Sequence, residues 1–172
     1  TYCIPMPKSL NAKKSKVTFA ETLDFIKCNS PKNFTNEYDY IMVDFGHLTS
    51  EEINDCNILF MVTDMQRQNI ELINKIQADQ EIYLIAKNLT KRDSVNDIVQ
   101  SISLKLTGTY ELRYDELDYI SMIGLQYGKN VKLSRLSGDY LYLIQTIITS
   151  ILKEDKKDYI RTYKKAKGHL LK

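Results

Sequence analysis

Apolar residues in this chain alternate between short unbroken runs and stretches in which they recur every three or four positions. Tyr40-Ile41-Met42-Val43 leads into Asp44-Phe45-Gly46, Asn57 to Thr63 reads NILFMVT, and Ile82 to Ala86 reads IYLIA. Such runs, flanked by polar residues, predict strands covered on both faces, as inside a parallel sheet. Between and after them the period changes. Gln66 to Ala78 carries Ile70, Ile73 and Ile76 on one helical face, and further helices are predicted near Arg92–Ile102, Glu116–Ile123 and Gly138–Leu152. Upstream, Phe19, Leu23 and Ile26 share the face of a helix predicted over Val17–Cys28, with Thr18 and Glu21 spaced as a capping box. Thr49-Ser50-Glu51-Glu52 has the composition of a helical first turn. Tyr2 to Met6 is predicted as a short strand stopped by Pro5 and Pro7, and Leu104 to Leu112 as the last strand. Strands separated by single helices imply right-handed crossovers. The expected fold is therefore α/β: a mostly parallel twisted sheet with helices on both faces, Rossmann-like in three layers, closed by C-terminal helices.

Composition narrows this picture. With 172 residues, 43% hydrophobic and 27% charged, the chain has the length of one domain and enough apolar side chains to rule out a disordered or low-complexity polymer. Cys3, Cys28 and Cys56 are odd in number and lack CxxC spacing, which predicts reduced thiols rather than a disulfide framework or zinc site. No apolar stretch reaches the length of a membrane span and no signal-peptide pattern is present, so a cytoplasmic protein is expected. The chain opens on Thr1 rather than Met, which leads us to expect a removed upstream portion. Charge divides it unevenly. From Lys153 to Lys172 eight bases stand against three acids, a net +5 that leaves −3 for the rest of a chain whose total is +2. We accordingly expect an α/β domain over residues 1–152 and a basic tail over 153–172. That tail is either a contact for an anionic membrane or nucleic acid, or a solvated last helix with cations near its carboxyl end.

Candidate chemistry gathers where predicted strands end, because open α/β sheets bind ligands at the carboxyl edge. Asp44 and Gly46 close the first run, Thr63 and Asp64 the second, Lys87 and Asn88 the third. Each has a structural alternative: Asp44 can open a turn, Asp64 can cap the next helix, Lys87 can be a snorkelling surface cation, and Asn88 with Leu89-Thr90 can be a plain turn. His47 and His169 are too few and too far apart to predict a metal or acid–base pair.

The segment Tyr38-Asp39-Tyr40-Ile41-Met42-Val43-Asp44-Phe45-Gly46 resembles the Walker B strand of deviant P-loop ATPases of the ParA and MinD type. NILFMVTD, then EIYLIAKN, then Glu111-Leu112-Arg113-Tyr114-Asp115 with Gly128 and a terminal helix over Gly138–Leu152, are similar to the later elements of that family. The resemblance spans Tyr38 to Leu152 and implies a P-loop NTPase-like fold, ATP and Mg2+ as cofactors near Asp44, Gly46, Thr63, Lys87 and Asn88, with Asp44 acting on the metal through water, and dimerisation through the ligand edge of the sheet. No glycine-rich loop with Lys and Ser/Thr is present: the six glycines are scattered. The departure leaves two alternatives. In one, the chain is a non-hydrolysing relative, similar to the TadZ-like proteins that position a pilus or secretion machine, with protein partners in a membrane-associated assembly and a place in the cytoplasm peripheral to the membrane. In the other, it is the C-terminal part of an active ATPase whose phosphate loop lies upstream. A third expectation, from another class, is a receiver-like signalling domain with Asp44 as phosphoacceptor and Thr63 and Lys87 at successive strand ends.

Overall fold

The computed structural model describes residues 2–7, 20–21, 38–43, 53, 56–127, 131–166 and 170–171. The chain divides into two compact units, Thr1–Ile53 and Asn54–Lys172.

In the first unit β1 (Tyr2–Pro7) is the middle strand of a three-stranded sheet, flanked by β2 (Ala20–Glu21) and β3 (Tyr38–Val43), both antiparallel to it. The described pairing with β2 involves only Tyr2 and Cys3, so Pro5 and Pro7 fall beyond it, and Pro7 sits at a register shift against β3. A residue without an N–H is tolerated at such positions. Two expectations are corrected here. Ala20 and Glu21, read as helical from the capping-box spacing, are extended and take Cys3 and Tyr2 as partners, because a ladder with β1 outcompetes a local helix signal. Tyr38–Val43, expected within the parallel sheet, pairs antiparallel with β1 instead. An apolar run records that a strand is covered and says nothing of which strand it joins.

The second unit holds a parallel sheet in the order β4 (Ile58–Thr63), β5 (Glu81–Leu89), β6 (Gly108–Arg113). Helix α1 (Arg67–Ile73) connects β4 to β5 and α2 (Val95–Val99) connects β5 to β6. The α/β expectation holds in this form, a three-stranded parallel sheet with helical crossovers. Successive right-handed crossovers in one direction carry their helices to the same face. Asn74, at the end of α1, ties the two together: its Nδ2 donates to the Ser101 carbonyl at 2.8 Å and its Oδ1 accepts from Ser103 N at 2.9 Å. This use of Asn74 accompanies an early stop, since the predicted helix ran to Ala78 and the chain after Ile73 tightens into i→i+3 bonds.

One face of the sheet is the core. Leu59, Met61 and Thr63 of β4 lie in register with Ile82, Leu84 and Ala86 of β5, all buried, together with Ile73 of α1 and Ile98 of α2. On the other face Phe60, Tyr83 and Tyr110 stack across the three strands at centroid separations of 5.7 and 6.3 Å. Gly108 makes room for this stack, because a Cβ there would stand 3.0 Å from Tyr83 Cδ1.

The remaining chain is mostly helical: α3 (Glu116–Gln126), α4 (Gly138–Thr146), a π-helical turn over Ile147–Ile151, and α5 (Lys156–Ala166). Thr146 and Thr149 donate their hydroxyls back to the carbonyls of Tyr142 and Gln145, both at 2.9 Å. Such back-bonding loosens the backbone ladder, and Leu152 N reaches Ile147 O in a wider turn at 2.9 Å. After α3 and α5 come β7 (Val131–Lys132) and β8 (Leu170–Leu171), which pair antiparallel. Among the described residues, no helix is long and apolar enough to cross a membrane.

Candidate functional site

At the carboxyl edge of the parallel sheet, Thr63 is buried at the end of β4 and its hydroxyl donates to the Asp64 carbonyl at 3.1 Å. Asp64 Oδ1 accepts from Gln66 N at 3.0 Å and from Asn69 Nδ2 at 2.8 Å. It thereby engages the N–H of Gln66, the residue that precedes α1 and makes no side-chain cap bond of its own. Lys87 and Asn88 lie inside β5 rather than beyond it. Between Ala86 and Leu89 the register with β6 slips by one residue, and Asn88 adopts φ 59. This is a β-bulge whose extra residue takes the left-handed conformation that Asn tolerates better than most side chains. Ala86 is the register partner of Thr63, so the pleat sends the next residue, Lys87, toward the opposite face. Asp44 and Gly46 lie outside the described residues.

Two residues of β6 not expected as site residues shape this edge more than Lys87 does. Arg113 Nη1 donates to the Thr90 carbonyl at 3.2 Å and Nη2 to Glu111 Oε2 at 3.4 Å, while Glu111 Oε1 accepts from Val95 N at 3.2 Å. Together they clamp the loop from β5 to α2. Inside that loop Thr90 N donates to Asp93 Oδ2 at 2.6 Å, and this bond holds the Asp93 carboxyl below the usual carboxylate range. The signal in the sequence was the alternation of Glu111 and Arg113 around Leu112, which puts both charges on one side of the strand. Beside the clamp runs a groove of about 240 Å³, between Thr109, Glu111 and Arg113 of β6 and Asp139, Tyr142 and Leu143 of α4.

The described edge presents the carboxylates of Asp64, Asp93 and Glu111, the guanidinium of Arg113, engaged by Glu111 and Thr90, and the exposed bases Lys91 and Arg92 of the loop after β5. No cluster of three or more His, Cys, Asp or Glu among the described residues has a geometry that could hold a metal ion.

A second surface is built by α3, opened by Asp115, whose Oδ1 accepts from Leu117 N at 2.8 Å and Asp118 N at 3.1 Å. Two polar residues, Asp118 and Ser121, lie buried on its inner side. Asp118 is 7% exposed and accepts from Ser137 N at 2.7 Å and, through a short bond, from the Ser137 hydroxyl. Ser137 in turn caps α4 by accepting from Tyr140 N at 3.2 Å. Burial, with the Asp118 charge nearby, pushes the Tyr140 hydroxyl above the ordinary tyrosine range. The outer side is apolar: Leu117 is 60%, Ile120 56% and Tyr127 79% exposed. Helix α5 is the electrostatic opposite of α3. Asp155 caps it, Tyr159 is buried and stacks on Tyr163 at 6.0 Å, and Lys157, Ile160, Arg161 and Lys164 lie on the exposed side.

Compared with known proteins, the chain matches no family profile, no curated protein and no solved structure.

Proposed function

We propose that this chain acts by binding and positioning, as a non-hydrolysing α/β domain of the ParA/MinD kind that helps to localise or assemble a larger membrane-associated machine, of pilus or secretion type. The family half of the proposal rests on the resemblance of the sequence from Tyr38 to Leu152, and within it on the strand–helix succession from Ile58 onward, since Tyr38–Val43 pairs outside the parallel sheet. The functional half rests on one observation: four charged groups at the described carboxyl edge are engaged in building loops. Asp64 organises the start of α1, Asp93 closes a turn on Thr90, and Glu111 and Arg113 clamp the loop before α2. A catalytic edge keeps its charged groups aimed at the reacting atoms, in positions that substrate can reach. Here Asp64, Asp93, Glu111 and Arg113 each have a protein partner, and on this reading the edge serves as a support for the surfaces around it.

The test is ATP turnover by the full chain with magnesium, alongside a titration with labelled ATP. The expected result is phosphate release no faster than in the protein-free control. Magnesium-dependent hydrolysis that disappears when Asp44 is replaced by Asn would overturn the proposal and favour the ATPase alternative.

A further inference from the structure

Helix α3 is amphipathic the wrong way round for a helix that serves only its own core. Asp118 and Ser121 face inward while Leu117, Ile120, Met122 and Tyr127 face out. Water penalises that arrangement by about 25 cal/mol for each Å² of apolar surface left uncovered. From Asp115 to Gln126 the segment also carries three acids and no base. A partner for it must bring apolar surface and positive charge together.

The same unit carries such a helix. Between Lys156 and Ala166, α5 has five bases and one acid, with Ile160 exposed among them. Lysine and arginine stems cover apolar surface while their charged ends reach outward, so α5 can shield Leu117 and Ile120 and still pair its cations with Asp115 and Glu116. The two helices share a locality, since the strands that follow them, β7 and β8, pair with each other. An 11-residue helix is only about 16 Å long and cannot by itself supply the roughly 800 Å² per partner of a stable interface. If both helices of each copy take part, the contact area per copy doubles, and a two-fold axis closes the arrangement without leaving a free end.

We propose that the occupant of the α3 face is a second copy of this chain, in a two-fold dimer where α3 of each copy lies against α5 of the other. The proposal does not depend on whether the carboxyl edge of the sheet is catalytic.

Sedimentation velocity on the full chain, over a range of concentrations at low and high salt, tests it. The expected result is a dimer at low salt that weakens as salt rises. Ile120→Lys raises the dimer dissociation constant about a hundredfold by removing an apolar contact and setting a cation against the bases of the partner's α5. Glu116→Lys and Lys164→Glu each weaken the dimer about tenfold, while an equimolar mixture of the two variants dimerises like the unaltered protein, because every α3–α5 contact in the mixed dimer again joins opposite charges. All three positions are exposed, so circular dichroism melts are expected to stay within a few degrees of the starting protein. A chain that is monomeric at every concentration in low salt overturns the proposal. So does a dimer indifferent to Ile120→Lys, or a monomer whose α3 amides are protected by another part of the same chain. ATP turnover by monomer or dimer bears on the preceding proposal and leaves this one standing.

Discussion

Asn88 shows how much one residue can change an edge. Its φ of 59 is the left-handed conformation in which a Cβ crowds the following carbonyl oxygen, and Asn tolerates it through local hydrogen bonding. Asn88→Gly is expected to leave stability within about 0.5 kcal/mol of the starting value, and Asn88→Val to cost about 1–2 kcal/mol, both read from urea unfolding midpoints. Equal effects of the two would mean that the bulge does not hold this conformation. Asp118 is a sharper case. Removing its carboxylate by Asp118→Ala leaves the Ser137 N–H without its acceptor in a half-buried setting, at about 1–3 kcal/mol. The same assay reads it, and a loss below 0.5 kcal/mol would show that water replaces the bond. Asp93 carries a pH signature. Its carboxyl is held below its ordinary value of about 3.9, so whatever it contributes is complete above that pH and is lost as the pH falls through the depressed value. An NMR titration of the side-chain carboxyl checks the direction, and a midpoint at or above that of a model peptide would contradict the Thr90 bond.

Among the elements, α4 was the most legible in advance, since the helix predicted over Gly138–Leu152 brackets what forms, including the π-helical turn. Elements settled by contacts outside themselves were read less well. β5 continues three residues past Ala86, because β6 supplies Arg113 as a partner for Leu89 across the bulge. Helix α1 is shorter than its isoleucine repeat, with Asn74 drawn into bonds to the chain after α2. Gly108 belongs to this scale as well, because it matters through an aromatic ring on the neighbouring strand. Gly108→Ala is expected to push Tyr83 from its place between Phe60 and Tyr110, with a cost of about 1–3 kcal/mol and a change in near-UV circular dichroism. An unchanged tyrosine spectrum would place the ring elsewhere.

For the molecule as a whole, the two compact units predict that a chain beginning at Asn54 keeps the β4–β5–β6 core, visible as dispersed amide resonances and a cooperative melt. Collapse of that fragment into an uncooperative state would show that Thr1–Ile53 is needed to cover it. Alkaline behaviour is also shared across elements. Burial is the leading cause raising the Tyr83, Tyr140 and Tyr159 hydroxyls above the ordinary value near 10. Stability tied to their neutral forms is complete below about pH 10 and falls as the pH climbs through the raised values. Absorbance at the phenolate band is expected to rise late, in step with loss of helical signal, for part of the 12 tyrosines.

The amino-acid sequence by itself determined that this is an α/β chain with interior strands at Ile58–Thr63 and from Ile82 onward, helices after each, and a basic end. Those features follow from local period and composition, which act on neighbours along the chain. Tertiary structure alone decided that Tyr38–Val43 pairs antiparallel with Tyr2–Pro7, that Glu111 and Arg113 rather than Lys87 organise the carboxyl edge, and that α3 turns its apolar side outward. Strand partnership, ion pairing and burial are set between segments far apart in sequence, and any apolar run is compatible with several such partners until the rest of the fold removes all but one.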